Sequence, residues 1–568
     1  MASHQPDRAA VKIPRGRTAS GDIDYLTLSF AELDREVDAW VEKMSAHGVQ
    51  RGDRVLVMVR QGLPLIAAAF ALFKLGAVPV IIDPGMGREN FLACVARSQP
   101  RVLLGIPKAQ LVSYFKRTAF ASVKVRVWVS AKIDAQLSST QSKIGNQKSK
   151  ITESAPTDLA AILFTSGSTG APKGVCYEHG MFDAQVALVR ETYGIAPGEV
   201  DLPMLPIFAL FGPALGMTTV VPELDPSQPA AVDPEKIVRA IQQEQVTNSF
   251  GSPTLWRKIA RYCLAHQITL PSLKRVLMAG APVPPRLFAD LQKILPNGTA
   301  HSPYGATESL PIASISAREV LEETAAATAR GAGTCVGRPL PGITIKIIEP
   351  TKKPIATLAS APELPLGTIG EIIVSGPVVT KSYDQLPDAT AAAKITEAPD
   401  SKTETPDPQA QTPGGSAVVW HRLGDVGYLD AQGRLWFCGR KVERVETRQG
   451  LLYTEQVEPI FAAHPDVARA ALVGVGHDFH RPAIVVEPVS AEVVATPSLR
   501  RKLVRELRAL GAQFPHTDSI RLAYLHPHFP VDVRHNAKIH RLKLAEWATK
   551  NNGYELDKRE VSRESLKL

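Results

Sequence analysis

Residues 162–175 read Ile-Leu-Phe-Thr-Ser-Gly-Ser-Thr-Gly-Ala-Pro-Lys-Gly-Val, and this stretch decides the fold. An apolar run typical of a buried strand, residues 160–164, leads directly into a loop of glycines and hydroxyl residues. Glycines let backbone N–H groups turn toward an anion, hydroxyls add donors, and Lys173 adds a mobile positive charge. The stretch therefore predicts a polyphosphate-binding loop. The alternative is a flexible linker, which is disfavoured because a linker would require neither the preceding strand nor Lys173. The loop is not a Walker A motif, because no Ser or Thr follows Lys173.

The rest of the N-terminal sequence alternates helical and strand patterns. Residues 29–46 predict an amphipathic helix that begins with a capping box formed by Ser29 and Glu32. A strand over 54–59, a helix over 63–75 and a strand over 77–82 follow. This alternation predicts an α/β fold with a largely parallel sheet covered by helices.

Length and composition predict more than one domain. A chain of 568 residues exceeds the size of one ordinary core. Residues 135–156 and 386–415 have little pattern and are predicted to be mobile surface loops. From about residue 442 a new unit begins, with strands near 470–475 and 484–486 and helices near 498–511 and 538–549. We expect a large N-terminal domain over 1–440 and a small C-terminal α+β domain over 441–568.

Charge and cysteine usage exclude several classes of protein. Pro64, Lys74 and Pro79 interrupt the longest apolar stretch, so we predict no membrane span. The five cysteines have no metal-ligand spacing, which indicates reduced thiols and a cytoplasmic protein. The net charge is +9, and residues 500–568 hold 15 Lys and Arg against 8 Asp and Glu. These charges alternate with apolar residues at helical spacing, so solvated helix faces are favoured over nucleic-acid binding.

The loop sequence resembles the signature of the adenylate-forming superfamily, which contains acyl-CoA synthetases, adenylation domains of peptide synthetases, and luciferases. The resemblance implies a large N-terminal AMP-binding domain, with β-sheets sandwiched by helices, and a small mobile C-terminal lid. It also implies an enzyme that uses ATP and Mg²⁺ to join an organic acid to AMP and releases pyrophosphate. The loop residues that the resemblance assigns to ATP are Thr165, Ser166, Gly167, Ser168, Thr169, Gly170 and Lys173.

Two further motifs extend the resemblance toward the adenine and the phosphates. Gly280, Ala281 and Pro282 follow an apolar strand and match the stretch that lines the adenine pocket, although any strand-ending turn has this composition. The run Tyr304-Gly305-Ala306-Thr307-Glu308 implies that Tyr304 packs on adenine, Thr307 contacts phosphate and Glu308 holds magnesium. Mg²⁺ prefers one or two carboxylates together with phosphate oxygens. The alternative for Glu308 is an exposed turn carboxylate.

The last motifs concern the ribose and the reacting carboxylate. The run His421-Arg-Leu-Gly-Asp425 resembles the superfamily's Tyr-Arg-Thr-Gly-Asp, so Asp425 would accept hydrogen bonds from the ribose hydroxyls. Arg440 matches the interdomain arginine that contacts the nucleotide. Lys538 matches the C-terminal catalytic lysine, which neutralises developing negative charge after the small domain closes. A linker arginine and a solvated helix lysine are the alternatives. The implied catalytic set is Lys538, Glu308, Thr307 and Lys173.

Several positions depart from the pattern of acyl-CoA synthetases. Phe208-Ala209 stands where many of those enzymes have Phe-His, and Val442 stands at the usual hinge position. Glu446 replaces a lysine, and residues 446–456 alter the usual thioester loop. In acyl-CoA synthetases these positions serve the delivery of a thiol. The departures therefore weaken the interpretation as a CoA ligase, but they do not affect the prediction that the enzyme forms an adenylate.

Blocks across residues 155–545 resemble the olefin β-lactone synthetases of bacterial long-chain hydrocarbon biosynthesis. The resemblance implies adenylation of a 2-alkyl-3-hydroxy fatty acid, whose 3-hydroxyl then displaces AMP to close a cis or trans β-lactone. It implies further pathway enzymes as partners, a β-lactone decarboxylase and a β-keto acid reductase. An alkyl pocket around Phe208, Leu210, Phe211 and Met217 is one interpretation of that apolar cluster, and ordinary core packing is the other. His535 is a candidate base, or a structural histidine.

Three other functions are open at this stage. A long-chain fatty-acyl-CoA ligase or a fatty-acyl-AMP ligase would share the adenylation motifs and differ in the second step. A non-catalytic nucleotide-binding scaffold would be expected to lose Lys173, Glu308, Asp425 or Lys538, and all four are retained. Only the shared fold supports a luciferase-type oxidoreductase.

Overall fold

The computed structural model describes residues 1–129, 153–165, 171–225, 228, 231–397, 418–476, 481–531 and 538–555. Its strands are, in chain order, β1 (Ala9–Arg17), β2 (Ile23–Ser29), β3 (Arg54–Met58), β4 (Val78–Ile82), β5 (Val102–Gly105), β6 (Val125–Trp128), β7 (Leu159–Thr165), β8 (Lys173–Glu178), β9 (Val200–Pro203), β10 (Thr218–Val220), β11 (Asn248–Gly251), β12 (Arg275–Met278), β13 (Thr299–Ala306), β14 (Ser309–Ser316), β15 (Thr334–Pro339), β16 (Thr344–Ile348), β17 (Gly370–Ser375), β18 (Lys394–Glu397), β19 (Val418–Leu429), β20 (Leu435–Arg440), β21 (Val445–Thr447), β22 (Gly450–Leu452), β23 (Val467–Val475), β24 (Arg481–Pro488), β25 (Leu522–Leu525) and β26 (Tyr554–Glu555).

The helices lie between these strands. In chain order they are α1 (Phe30–Ala46), α2 (Leu63–Leu75), α3 (Arg88–Ser98), α4 (Pro107–Phe115), α5 (His179–Tyr193), α6 (Phe211–Leu215), α7 (Pro234–Gln243), α8 (Pro253–Ala265), α9 (Pro285–Ile294), α10 (Ala317–Glu319), α11 (Ala325–Ala329), α12 (Pro387–Ala393), α13 (Thr454–Ala462), α14 (Ala491–Ala495), α15 (Pro497–Gly511), α16 (Pro515–Asp518) and α17 (Arg541–Lys550). Short 3-10 turns occur at Pro84–Met86, Pro206–Leu210 and Leu358–Ser360, and a π-helical turn at Val320–Thr324.

Helix α1 forms as the sequence predicts. The Ser29 side chain accepts a hydrogen bond from the Glu32 amide, and the Glu32 carboxylate accepts one from the Ser29 amide, which completes the capping box. Phe30, Leu33 and Met44 are among the residues that the helix buries. Their spacing places them on one face, so burial of that face fixes the helix on the sheet beside it.

The first sheet has the strand order β6-β5-β3-β4-β7-β8. Its neighbours run parallel except for β7 and β8, which form an antiparallel hairpin. Helices α1 and α2 cover one face and α3 covers the other, so buried apolar side chains fill both sides. The predicted strand, helix and strand over 54–82 are confirmed as β3, α2 and β4. No helix among the described residues is long and apolar enough to cross a membrane.

The second sheet is larger and mixed. Strands β10, β9, β11, β12 and β13 are parallel neighbours in that order, and β1 adds parallel to β10. From β13 onward the neighbours β14, β15, β20, β19, β17 and β16 pair antiparallel. The largely parallel sheet that the alternation over residues 29–82 predicts is confirmed in the first sheet, and the antiparallel half of the second sheet was not predicted. Alternating apolar residues predict a strand but carry no information on the direction of its neighbour.

The prediction of a surface loop over 386–415 is wrong for its first part. Residues 387–393 form α12 and residues 394–397 form β18, which pairs antiparallel with β19. Leu386, Ala389 and Ala393 pack against the buried core around Tyr383. Small residues can pack this closely. The low-complexity composition of the segment gave no apolar pattern from which this helix could be predicted. Residues 398–415, and 135–152 of the other predicted loop, lie outside the described residues.

The C-terminal segment contains its own four-stranded sheet, in the order β23-β24-β25-β26. Side chains of α13 and α15 pack on one set of its core residues, and α17 packs on another. The strands predicted near 470–475 and 484–486 and the helix near 498–511 are confirmed. The last predicted helix begins later than expected, at Arg541.

A buried ion pair holds the amino ends of β9 and β12 together. Arg275 donates from Nη1 and Nη2 to the two carboxylate oxygens of Glu199 over 2.6 and 2.7 Å, and both side chains are buried. Burial raises the pKa of Glu199, but hydrogen bonds from Arg275 and from the Ala196 amide outweigh it and lower the pKa to about 2. The ionised carboxylate is therefore stabilised by folding.

We expect Glu199→Gln to lower the free energy of unfolding at pH 7 by about 3 kcal/mol, because Arg275 is left with a neutral partner. A carboxyl whose pKa falls on folding stabilises the protein above its unfolded pKa of 4.5, and this contribution disappears as the pH falls toward 2. Urea unfolding between pH 7 and pH 3 measures both effects. Glu322→Gln, which removes an exposed pair, is the control and should change little. Equal pH dependence in Glu199→Gln and the native chain would contradict the assignment.

Candidate functional site

The β7–β8 hairpin presents the loop with the Gly/Ser/Thr signature. Thr165 ends β7 and is the register partner of Lys173, which begins β8. Residues Ser166–Gly170, which the sequence assigned to phosphate, lie outside the described residues. The Lys173 Nζ lies 4.8 Å from the centroid of the Tyr383 ring, over its face. A cation–π contact of this kind holds the ammonium group beside the hairpin.

Glu308 lies next to the same tyrosine. It occupies the turn between β13 and β14 together with Thr307. The Tyr383 hydroxyl donates to Glu308 Oε1 over 2.8 Å, and the Thr380 amide donates to the Glu308 carbonyl over 2.9 Å. The Tyr177 hydroxyl donates to the Thr307 carbonyl. Two predicted site residues from distant parts of the chain, Lys173 and Glu308, thus share one aromatic partner.

A buried lysine that the sequence analysis missed lies behind this pair. Lys394 Nζ donates to Thr380 Oγ1 over 3.2 Å and to the Thr380 carbonyl, and it lies 6.0 Å from the Tyr383 ring centroid. Burial lowers the pKa of Lys394 to about 7, although the charge of Glu308 opposes the shift. Lys394 was missed because it falls in the segment predicted to be a surface loop. No motif signals its role.

His421 is a second buried base in this region. Burial lowers its pKa well below the usual range, and the charges of Lys394 and Lys173 lower it further. The His421 Nδ1 lies 3.2 Å from the Ala393 carbonyl, so the neutral ring carries its proton on Nδ1. Two lysines, Lys173 and Lys394, thus lie beside the Tyr383 ring, whereas the neutral His421 adds no positive charge.

The predicted ribose and adenine residues meet at a second cluster. The Tyr304 hydroxyl donates to Asp425 Oδ2 over 2.6 Å, and Arg440 Nη1 donates to Asp425 Oδ1 over 2.7 Å. Asp425 and Arg440 are register partners on β19 and β20. Burial and the charge of Asp425 raise the pKa of Tyr304, so the phenol stays protonated. The structure thus brings Tyr304 beside Asp425, which lies 121 positions later in the sequence.

Gly280, Ala281 and Pro282 follow the carboxyl end of β12. This strand is parallel to β13, which carries Tyr304 toward the same edge of the sheet. Gly280 has a φ of +97°, a conformation that favours glycine and turns the chain away from the strand. Crevices outside the carboxyl ends of parallel strands are a common ligand site in open α/β sheets. The predicted adenine stretch lies at such an edge.

Lys538 belongs to the C-terminal segment and is exposed. Its neighbour Ile539 bridges to Val531, and Arg541 donates to Glu443 and Glu458 over 2.9 and 2.7 Å. These contacts fix the start of α17 against the residues that follow Arg440. The described contacts of the segment do not join it to the Lys173 and Glu308 cluster. The candidate base His535 lies outside the described residues.

A small apolar cavity of about 70 Å³ lies between α5, α6 and the second sheet. Three of the four residues that the sequence analysis considered for an alkyl pocket line it, namely Phe208, Phe211 and Met217. Leu210 packs instead against the core beneath α1 and α2. Pro303, which precedes Tyr304, also lines the cavity.

The side chains present fit a magnesium ion held together with phosphate. Among the described residues, three metal-binding side chains come together only at His464, Asp466 and Glu506, in the C-terminal segment. Glu308 offers a single carboxylate beside the cationic Lys173. A hard cation at Glu308 would take its remaining ligands from phosphate oxygens and water, as Mg²⁺ commonly does.

The altered thioester region forms a small hairpin. Strands β21 and β22 pair over residues 445–452, and Arg444 donates to Glu446 over 3.0 Å. Val442, at the usual hinge position, is exposed. Val442 and the hairpin that contains Glu446, which both depart from the acyl-CoA synthetase pattern, thus lie close together in the sequence after Arg440.

Comparison with known proteins agrees with this geometry. Residues 2–384 match the family described as AMP-binding enzyme. Two relatives named olefin beta-lactone synthetase are each 44% identical, one from Xanthomonas campestris pv. campestris over 96% of both chains and one from Stenotrophomonas maltophilia over 98% of both. The structure of o-succinylbenzoate coenzyme A synthetase from Bacillus subtilis, in complex with ATP and a magnesium ion, has a TM-score of 0.70 and 21% identity over 96% of this chain and 98% of that chain. The chain therefore belongs to the AMP-binding enzyme family, and within it to the group that contains the olefin β-lactone synthetases.

Proposed function

We propose that this protein is an ATP-dependent β-lactone synthetase that acts on a 2-alkyl-3-hydroxy fatty acid. The observation that carries the proposal is the 44% identity to two olefin beta-lactone synthetases over nearly the full length of each chain. Two features of the site support it. The Tyr383 and Asp425 clusters offer partners for phosphate and ribose, and Pro303, which precedes Tyr304, lines a small apolar cavity.

The first step joins the acid to AMP. A carboxylate oxygen of the substrate attacks the α-phosphorus of ATP, the bond to the β-phosphate oxygen breaks, and pyrophosphate leaves. Asp425 and Arg440 orient the ribose, and Tyr304 packs on the adenine. Lys173 and the loop before it hold the leaving phosphates. Mg²⁺, bound by Glu308, would neutralise phosphate charge, and Thr307 contacts the phosphates beside it.

The second step closes the ring. The 3-hydroxyl oxygen of the same molecule attacks the acyl carbon, the bond to the AMP oxygen breaks, and the hydroxyl proton passes to a base. The nucleophile is held in the same molecule, and well-oriented intramolecular reactions reach effective concentrations of roughly 10⁵ M. This gain offsets the strain of the four-membered ring. Water must stay excluded, because hydrolysis of the adenylate competes.

The C-terminal segment supplies the remaining charge. In the proposed mechanism, residues 1–440 bind the nucleotide and residues 441–568 act as a lid that turns near Val442. Lys538 then reaches the carboxylate and the α-phosphate, where it neutralises developing negative charge. The altered hairpin over 445–452 serves no thiol, because the second nucleophile is already part of the substrate.

The chemistry of the product suggests its cellular setting. We place the protein in the cytoplasm, in a pathway with an enzyme that decarboxylates β-lactones to olefins and one that reduces β-keto acids to supply the 3-hydroxy acid. The 44% identity to relatives named for olefin biosynthesis supports this setting.

Product analysis tests the proposal directly. We expect the purified protein, ATP, Mg²⁺ and a 2-alkyl-3-hydroxy fatty acid to yield AMP, pyrophosphate and a β-lactone, identified by NMR in the cold, with or without CoA. The matched control is the same acid without its 3-hydroxyl, which should yield adenylate and no lactone. An acyl-CoA that forms only when CoA is added would instead identify a CoA ligase.

Lys538→Ala should lower the rate of ATP–pyrophosphate exchange by about 100-fold or more, because positioned charge of this kind contributes that much to a transition state. The measurement uses a 3-hydroxy acid at saturating ATP. Lys543→Ala, which removes an exposed lysine of α17, is the matched control and should keep the native rate. Exchange within about threefold of the native rate in Lys538→Ala would remove that lysine from the mechanism.

Glu308→Gln should raise the Mg²⁺ concentration needed for half-maximal exchange by about tenfold, because the amide is a weaker ligand for a hard cation. A titration of Mg²⁺ at fixed ATP measures the shift. Glu363→Gln, which alters a surface ion pair with Lys346, serves as the control. An unchanged titration in Glu308→Gln would exclude Glu308 from the metal site.

A further inference from the structure

The exposed aromatic side chains of the protein lie in one short stretch of the chain. Among the described residues, the only exposed Tyr, Phe and Trp side chains are Tyr114, Phe115 and Trp128, and the nearby Leu111 is also exposed. Phe115 keeps 76% of its surface exposed. Single apolar residues on a surface need no explanation, but a group of large ones marks a site of contact. We call these four residues the aromatic patch.

Helix α4 and strand β6 build the aromatic patch. Leu111, Tyr114 and Phe115 follow one another at helical spacing and share one face of α4. The Arg126 guanidinium lies 4.6 Å from the centroid of the Tyr114 ring, over its face. Trp128 follows Arg126 by two residues on β6 and therefore points to the same face of the sheet. Arg126 thus connects the helix to Trp128, at the end of the outermost strand of the first sheet.

The chain around the patch carries only positive charge. Residues 102–129 contain five Lys and Arg and no Asp or Glu. None of the five forms an ion pair with any residue that the structure describes, and three of them are exposed. The exposed three are Lys108, Arg117 and Lys124, and the other two are Lys116 and Arg126. The patch is therefore flanked by cations that no described carboxylate neutralises.

The charge distinguishes between possible partners. Aromatic residues are enriched both in protein–protein interfaces and at the level of the headgroups in membranes, so they do not decide the partner alone. A protein surface commonly carries both signs of charge, whereas a bilayer that contains anionic lipids presents a uniform negative potential. Five cations without an acidic residue complement such a bilayer.

The polar atoms of the aromatic residues agree with this environment. Neither the Tyr114 hydroxyl nor the Trp128 Nε1 has a hydrogen-bond partner within the described ranges. Tyr and Trp favour the level of the headgroups, because the ring is there in apolar surroundings while its polar atom stays hydrated. Leu111 and Phe115 have no polar side-chain atom and suit the deeper acyl boundary.

We propose that the aromatic patch binds the surface of a bilayer that contains anionic lipids. Leu111 and Phe115 enter the boundary between headgroups and acyl chains, and Lys108, Arg117 and Lys124 contact lipid phosphates. The protein then lies on the membrane without crossing it. Binding of this kind goes beyond the proposed reaction and does not depend on it.

The patch is separate from the nucleotide motifs. Strand β7, which leads into the phosphate loop, is four strands away from β6 in the first sheet. At a strand spacing of about 4.8 Å, the two strands are roughly 19 Å apart. Contact with a bilayer at the patch therefore leaves the loop open to ATP in solution. A bilayer also holds acids with long alkyl chains, which suits the proposed substrate.

Flotation of the full chain with lipid vesicles tests the proposal. We expect the protein to float with vesicles of phosphatidylcholine and phosphatidylglycerol and to stay in solution with pure phosphatidylcholine. Raising NaCl to about 1 M should weaken the binding, since the Debye length falls to about 3 Å. All six tryptophans lie in described residues and only Trp128 is exposed, so the emission should shift to shorter wavelength on binding. Trp128→Phe should remove this shift.

Two variants and their controls separate the apolar and the ionic contributions. Phe115→Ser should lower the partition coefficient for the anionic vesicles by about tenfold, because the ring no longer leaves water. Leu366→Ser, at an exposed position outside the patch, is its control and should bind as the native chain does. Arg117→Gln should lower the coefficient by about fivefold, the effect of one charge near an anionic surface. Lys236→Gln, which removes an exposed lysine of α7, should leave it unchanged.

The opposite results are equally clear. Equal binding to neutral and anionic vesicles, or binding that neither Phe115→Ser nor Arg117→Gln weakens, would overturn the proposal. A native chain that does not float, but forms a dimer that Phe115→Ser dissociates in sedimentation, would identify a protein interface instead. Thermal unfolding checks that each variant folds, and if Phe115→Ser does not, Arg117→Gln and the salt dependence decide. The vesicles contain no substrate, so the result is independent of the proposed reaction.

Discussion

Glu371 is the buried charge around which the nucleotide half of the protein is arranged. Its carboxylate accepts hydrogen bonds from Arg422 over 2.8 and 3.1 Å and from Lys441 over 2.7 Å, and it is almost fully buried. Removing three charges from water costs free energy, so such a cluster is stable only when every donor has a hydrogen-bond acceptor. Arg422 accordingly donates also to the carbonyls of Thr351, Lys353 and Ala392. One carboxylate thus ties β17, β19, α12 and the start of the C-terminal segment together.

The position of this cluster explains how separate motifs come to lie side by side. Arg422 and Asp425 are on the same strand, and Lys441 follows Arg440 directly, so pairing at Glu371 brings Asp425 and Arg440 into register. The bond to Ala392 holds the end of α12, and Lys394 follows two residues later. The charge cluster therefore supports Asp425 and Arg440, the predicted ribose residues, on one side and Lys394 beside Tyr383 on the other.

Short local patterns in the sequence identify Lys173 and Glu308 as candidates, and the structure places both beside Tyr383. Their roles toward phosphate and magnesium stay predictions. Tyr383 and Lys394 carry none, because their roles arise only when β8, α12 and β18 pack together. Helix α1 was predictable from its cap and apolar face. The antiparallel half of the second sheet was not, since partner direction is decided by hairpin closure and tertiary packing.

The two ends of the parallel strands in the second sheet carry different groups of polar residues. The carboxyl ends of its parallel strands hold Gly280 and Tyr304, and the amino ends hold Asp201 and Asn248, with an apolar cavity between them. In the proposed mechanism, the carboxylate of the acid lies at the edge that carries Gly280 and Tyr304. Its 3-hydroxyl, on the third carbon of the acid, would then lie near the same edge. A thiol carrier would need a second approach to that edge. The proposed internal nucleophile needs none, so in this mechanism the hairpin after Arg440 is free to depart from the pattern of the CoA ligases while the residues assigned to adenylation remain.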